Sequence, residues 1–255
     1  MRLIFFLFIL FTSLDAEIFQ IKSIEETSEH LQEDTLVIFD LDNTVMEPMQ
    51  TLGSDQWFAY RINEYRQQGC SDQDALKATI AEYVAIQNVT KMRLVEPSTF
   101  QVIEKLQKNH VPMIGLTTRS LVLVPKTIEQ LNSIGVDFSK TTPVQMDMFF
   151  ENDRYIQFQQ GILFTSGTSK GAALLRLVHE SGYQPKRILF VDDKMSHLQD
   201  VEKVCSACCI EFVGFRYGYL DEKTKSLRTE IARKQLELFG KLLSDEEAVT
   251  LLKKG

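Results

Sequence analysis

Four short stretches carry residue types that can do chemistry together. The first is Asp40-Leu41-Asp42-Asn43-Thr44, directly after an apolar run at 36–39. Two carboxylates one residue apart can face one point if the chain loops there, and the crevice beyond strand ends is where open α/β sheets bind ligands. The second is Gly115-Leu116-Thr117-Thr118-Arg119-Ser120. Its hydroxyls, backbone amides and guanidinium are a set that can hold a phosphate. The third is Lys170, after Gly167-Thr168-Ser169 at a helix start. A cation there opposes the helix dipole, so local stability does not explain it. The fourth is Phe190-Val191-Asp192-Asp193-Lys194. Adjacent acids at a strand end suit Mg²⁺, which takes hard oxygen ligands. Taken singly, each stretch reads equally as a turn, a cap, an exposed lysine or a polar loop. Taken together, each at a strand end or the next helix start, they can meet around one phosphate.

The elements that must position them are legible as runs. Residues 36–39, 111–116, 187–191 and 209–213 are short, apolar and rich in Val, Ile, Leu and Phe, the pattern of strands covered on both faces. Helical patterns lie between them. Pro97 precedes Phe100, Ile103 and Leu106; Pro125 begins a stretch with Ile128 and Leu131 that Gly135 closes. Ser169 opens a helix with Ala172, Leu175 and Val178, and Gly182 ends it. This alternation predicts an α/β fold, a Rossmann-like parallel sheet flanked by helices. Residues 46–96 break the rhythm with two helical patterns. One runs from Ser54 through Trp57, Ile62 and Tyr65 to Gly69. The other starts at Ser71, with Asp74 as a capping-box variant, and continues through Leu76, Ile80 and Val84. They predict a helical cap inserted after the first strand. The core is then 17–45 and 97–255, and the cap 46–96. A second insert at 141–168 contains an alternating stretch around Gly161 that predicts a small hairpin, and 221–255 predicts charged helices on the outside of the domain.

The 255 residues are 44% hydrophobic and 25% charged, close to globular averages, which excludes collagen-like and disordered classes. Lys and Arg number 28 against 35 Asp and Glu, a net charge of −7. A nucleic-acid partner is not expected, because phosphate neutralisation needs a basic excess. Four cysteines do not make a disulfide scaffold. Arg2, the apolar run 3–11 and the small residue Ala16 read as a secretory signal peptide, 1–16, cleaved after Ala16. The run is too short for a membrane span of roughly 20 residues, so no stable span is expected after cleavage.

The order Asp40-Leu41-Asp42-Asn43-Thr44, Thr117, Lys170 and Asp192-Asp193 resembles the haloacid dehalogenase-like hydrolase superfamily. The Thr117-Thr118-Arg119 stretch looks like the Thr-Gly-Arg of secreted class B acid phosphatases, with Thr118 in place of glycine. Together with the signal peptide, this makes the chain similar to secreted bacterial acid phosphatases, or to a separate secreted branch, and implies a secreted or periplasmic location. The resemblance implies a Mg²⁺-dependent phosphatase acting on a small phosphorylated substrate through an aspartyl-phosphate. Asp40 is then the nucleophile and Asp42 the general acid and base. Lys170 and Thr117 stabilise the phosphoryl group, and Thr118 and Arg119 face the substrate. Asp40, Asp42 through its carbonyl, Asp192 and Asp193 hold the metal, Asp193 through water or by orienting Lys170. A non-catalytic secreted binding protein on the same fold and a phosphotransferase are the alternatives.

Other signals carry less. Cys205, Cys208 and Cys209 lack a fourth zinc ligand nearby apart from His197 and read as buried small hydrophobes, with a disulfide involving Cys70 or within the cluster as the alternative. Trp57, Phe58 and Tyr60 read as core packing ahead of a substrate entrance. Asn88-Val89-Thr90 is a sequon, and Arg216-Tyr217-Gly218-Tyr219 stays open between substrate contact and a structural turn.

Overall fold

The four apolar runs become neighbouring strands of one eight-stranded sheet. The structure is a computed structural model and describes residues 17–151, 154–239 and 243–253; the expected signal peptide lies outside them. The strands are β1 (Glu17–Ile21), β2 (Thr35–Phe39), β3 (Met46–Pro48), β4 (Met92–Leu94), β5 (Met113–Thr117), β6 (Met148–Glu151), β7 (Tyr155–Gln159), β8 (Ile162–Phe164), β9 (Arg187–Asp192) and β10 (Glu211–Tyr217). The helices are α1 (Asp55–Gln67), α2 (Asp72–Gln87), α3 (Thr99–Lys108), α4 (Val124–Ser133), α5 (Lys170–Ser181), α6 (Met195–Ala207), α7 (Asp221–Thr224), α8 (Thr229–Glu237) and α9 (Asp245–Leu252).

Sheet order is β1-β10-β9-β2-β5-β8-β7-β6. The strands from β1 to β8 in that order are parallel, and β7 is antiparallel to both its neighbours. The fold is therefore α/β with a mostly parallel sheet. From β2 the chain moves outward to β5 and β8, then returns to β9 on the other side of β2. That reversal puts the ends of β2 and β9 side by side, the place where such sheets bind ligands.

Every residue of β2 is buried, and its side chains alternate between two cores. Val37 and Phe39 join the cluster under α3 and α4; Leu36 and Ile38 join the one under α5 and α6. Strand β1, the antiparallel β6 and the short β3–β4 ribbon have no counterpart in the apolar runs. They are edge or two-stranded elements, which need no long apolar stretch. The last strand also begins two residues later than its run, because Cys208 and Cys209 fall in the turn after α6.

After β2 the chain turns tightly. The amides of Thr44, Val45 and Met46 all donate to the Leu41 carbonyl, and Asn43 sits at φ 66°. β3 and β4 then pair antiparallel and carry α1 and α2 between them. Ser54 and Ser71 cap these helices by accepting the amides of Trp57 and Asp74. Arg61 forks onto Glu82 at 2.7 Å through both Nε and Nη2, locking the pair together. The C-terminal helices pack on this helical pair as well. Ala232 and Leu236 share a cluster with Leu52, Trp57 and Ile86, and Gln235 accepts the Leu52 amide at 2.8 Å.

Helix α5 is fixed at its start. Ser169 caps it by accepting the Ala172 amide, while Ser169 Oγ and the Gly171 amide donate to the Asp200 carboxylate of α6. A Cβ on Gly171 would lie 2.4 Å from the Asp200 carbonyl oxygen. Gly171→Ala should therefore destabilise by about 1–3 kcal/mol or more through overpacking. Gly182→Ala meets nothing within 4 Å and pays only for φ 70°, about 1 kcal/mol. Denaturant unfolding of both variants should rank Gly171→Ala as the more damaging.

Candidate active site

Asp40 is the first residue beyond β2, and its amide donates to the Val191 carbonyl of β9. Register does the rest: Phe39 pairs with Val191, so Asp40 stands beside Asp192. Lys170 enters between them from the first turn of α5. Its ammonium donates to Asp40 Oδ1 at 2.5 Å and to Asp192 Oδ2 at 2.7 Å. The lysine is only 1% exposed. Burial works against its charge, but Asp192 and Asp40 outweigh that and hold it above its ordinary value. Asp200, accepting from the Gly171 amide and the Ser169 hydroxyl, sets a negative charge at the positive end of α5 and offsets the cation's unfavourable place there.

The second oxygens of the two carboxylates are also held. Thr44 Oγ1 donates to Asp40 Oδ2 at 3.1 Å, and the Lys194 amide donates to Asp192 Oδ1 at 2.7 Å. His197, one turn into α6, places Nδ1 2.9 Å from Asp192 Oδ2. Burial opposes ionisation of Asp192, but Lys170 and His197 prevail and bring it down to about 2. Asp40 goes the other way. Burial, aided by the charge of Asp192, raises it to about 6 against the pull of Lys170. Asp193 is raised furthest, to about 8, by burial and by the charges of Asp40 and Asp192. Its carboxylate accepts from Asn43 Nδ2 at 3.2 Å rather than from Lys170. The centre holds three crowded carboxyls against one buried ammonium.

That surplus of negative charge on hard oxygen donors suits a divalent cation. Asp40, Asp192 and His197 each offer a ligand atom, all within 4.8 Å of one another. The carboxylates are the hard donors. His197, already on Asp192, is placed to orient that ligand.

Asp42, two residues on, faces a cleft of about 260 Å³ that Thr118 and Arg119 also line. Arg119 grips it with a bidentate fork, Nε to Oδ2 at 2.8 Å and Nη2 to Oδ1 at 2.7 Å. Arg119 is itself 4% exposed. Its Nη1 donates to Thr127 Oγ1 and Gln130 Oε1, and the Gln130 amide group donates to the carbonyls of Gln87, the last residue of α2, and Thr90. The guanidinium expected to face substrate is thus occupied by Asp42 and by α4. Thr117 is buried at the end of β5 and accepts the Arg119 amide at 3.2 Å; Thr118 is exposed at the cleft. A second opening, about 250 Å³, lies on the far side of Asp55 between Asn43, Asp193 and Arg216. There Arg216 is paired with Asp221.

The fold brings Asp40, Lys170 and Asp192 to one point, with Asp193, Asp42, Thr117 and Arg119 around it. Thr127, Gln130 and the Lys194–Asp55 ion pair at 2.8 Å carry no signal in the sequence, and His197, weighed there only beside the cysteines, lies instead on Asp192. The signal for that role is local: His197 follows an acidic pair at a strand end by about one helical turn. Trp57 is core, as expected, but Phe58 lines the cleft and Tyr60 binds Glu64. The four cysteines are free thiols: Cys205 is buried, whereas Cys208 and Cys209 are exposed, against the expectation of small buried hydrophobes. Among the described residues, no helix is long and apolar enough to cross a membrane.

Comparison with solved structures finds loose similarity to a haloacid dehalogenase-like family hydrolase from Streptococcus pneumoniae. Its TM-score is 0.45 at 14% identity, covering 67% of this chain and 80% of that one. The class C acid phosphatase from Bacillus anthracis follows with a TM-score of 0.37 at 13% identity, covering 89% and 81%. Neither overlap is close enough to assign an activity. In sequence, the chain is 27% identical over 258 residues to a "Putative outer membrane protein" of Chlamydia trachomatis serovar D, covering 98% of this chain and 97% of that protein. An "Uncharacterized protein" of Rickettsia prowazekii is 24% identical, covering 91% and 88%. Residues 17–249 match one family along nearly the whole described chain, and the protein belongs to that family, described as "Protein of unknown function (DUF2608)".

Proposed function

We propose that this chain is a Mg²⁺-dependent phosphatase that hydrolyses phosphomonoesters through an aspartyl-phosphate on Asp40. The observation that carries the reading is the buried Lys170 ammonium bridging Asp40 and Asp192 where the sheet reverses its strand order. Phosphate-monoester hydrolysis is so slow unaided that enzymes accelerate it by up to ~10²¹, and it calls for a nucleophile beside concentrated positive charge. Lys170, 1% exposed, puts one buried ammonium on the nucleophile, and the surplus of carboxylates around it would draw in a divalent cation for the rest.

In this reading Asp40 attacks phosphorus as the bond to the leaving oxygen breaks. Lys170 and Thr117 hold the phosphoryl oxygens as charge shifts onto them. Asp42 gives its proton to the departing alkoxide, then takes one from the water that releases phosphate from Asp40. Arg119 is the positioning residue for Asp42. Its fork leaves each carboxylate oxygen a second lone pair for the proton. Asp40, Asp192, Asp193 and the Asp42 carbonyl would hold Mg²⁺, which when bound lessens the repulsion between carboxylate and phosphate. Residues 46–96 serve as a cap over the core formed by 17–45 and 97–255. Export is part of the proposal, supported by the signal-like pattern at 1–16 and by relatives named as outer membrane proteins.

Three outcomes test this. Phosphatase assays of the mature protein should show activity with Mg²⁺, none in EDTA and recovery on adding the metal back, with Asp40→Asn at background under all conditions. Persistence of activity in EDTA would remove the metal from the mechanism. Lys170→Met removes the ammonium that the two buried carboxylates share, so the metal-free protein should lose about 3–5 kcal/mol of stability. Its turnover should fall by ~10²–10³. Saturating Mg²⁺ should restore part of the melting temperature by binding the native state but not the rate; full recovery of the rate would refute the role of Lys170. Finally, N-terminal sequencing of exported protein should begin near Glu17, and an intact Met1 on an exported product would refute the signal reading.

A further inference from the structure

Helix α2 carries two apolar stripes, and only one is covered. Ala75, Thr79 and Ile86 are its buried face. Leu76, Ile80, Tyr83 and Val84, spaced as the next face round, are half-buried and line the cleft beside Asp42. Phe58 of α1 completes this wall, its ring edge-on to Tyr83 at 5.2 Å and 77°. The opposite wall is polar: Thr118, Ser120 and Arg154. We propose that the cleft is the leaving-group site and that the alcohol it takes is compact and apolar, a single ring or short branched chain rather than a sugar or polyol. This rests on the phosphatase reading above.

The geometry is direct. If Asp42 protonates the leaving oxygen, that oxygen lies against Asp42, and whatever is bonded to it enters the cleft that Asp42 and Arg119 line. At about 260 Å³ the space is below the roughly 300–1,000 Å³ of drug-sized sites. A polyol could pair with Thr118, Ser120 and Ser166 on one side, but its hydroxyls turned to Leu76, Ile80, Val84 and Phe58 would lose water and gain no partner, a cost on that face that an apolar group avoids. An apolar group loses only its contact with water. Tyr83 supplies the wall's one hydroxyl. Burial and the charge of Asp42 hold its phenol above the usual range, so it stays a neutral donor. The apolar stripe is thereby accounted for: it waits for substrate rather than for a core.

The test compares two primary-alcohol esters whose leaving groups are of similar basicity, benzyl phosphate and glycerol 3-phosphate, with Mg²⁺ present. The wild type should prefer benzyl phosphate in kcat/KM by at least about tenfold, within the range apolar pockets achieve. Ile80→Asn should collapse that ratio, and Leu76→Asn should repeat the result should the first variant fold poorly. Calorimetry with benzylphosphonate, which cannot be hydrolysed, reads the same site without turnover, and the Asn variants should bind it at least about tenfold more weakly. Equal turnover of both esters, or a glycerol preference, overturns this inference and leaves the phosphatase reading standing. Absence of turnover with Ile80-dependent phosphonate binding overturns the phosphatase reading, and the leaving-group role with it, and leaves the cleft's preference for a compact apolar group standing. Phosphonate binding indifferent to Ile80 and Leu76 also overturns the inference.

Discussion

A lysine ammonium with almost no solvent contact must be paired, because an uncompensated charge in the interior costs several kcal/mol. Lys170 finds its partners in Asp40 and Asp192, which sit on strands far apart in sequence. Much of the architecture follows from that requirement. β2 and β9 must be neighbours, in register, and end at the same level. Helix α5 must begin close above them, which the Ser169–Asp200 contacts and the close packing at Gly171 secure. The pairing is also incomplete as a charge balance. Asp193, crowded by Asp40 and Asp192, is pushed up to about 8, so the centre remains a receptor for further positive charge.

A second buried polar chain governs how the helical pair sits on this centre. It runs from Asp42 through Arg119 and Gln130 to the backbone of Gln87 and Thr90. Gln87 continues it to the Gly53 carbonyl. Buried hydrogen-bonded networks of this kind are costly to satisfy only in part. The orientation of Asp42 is therefore tied to the position of α2. Lys194 with Asp55 makes a further bridge across the mouth, and α8 and α9 brace the pair from outside through Gln235, Arg233 and Asp245. The helical pair is held at several points, and one cleft lies on either side of Asp55.

Asp40, Thr117 and Asp192 stand out in sequence because each lies at the end of an apolar run that burial on both faces of a strand requires, whereas Lys170 stands out as a cation at a helix start; glycine, proline and serine mark the helix ends. The hairpin at Gly161 and the helices after Ser54, Ser71 and Ser169 declare themselves in the same way. The edge strand β1 and the ribbon of β3 and β4 gave no such signal, since short or half-exposed strands carry no continuous apolar stretch. Arg119 read as a substrate contact because an arginine after a strand looks alike whether it faces solvent or an aspartate.

Residue type and local spacing therefore determined which groups could do chemistry here, and hydrophobic periodicity determined the elements that carry them. Which groups meet was decided only by the tertiary structure. Lys170 between Asp40 and Asp192, His197 on Asp192, Arg119 turned inward to Asp42 and Gln130, and an α2 stripe facing a cleft all depend on strand order and register. The reason is physical. Periodicity encodes burial, which each segment can express alone, whereas pairing of buried charges depends on distances between segments far apart in the chain, and those exist only once the sheet has closed.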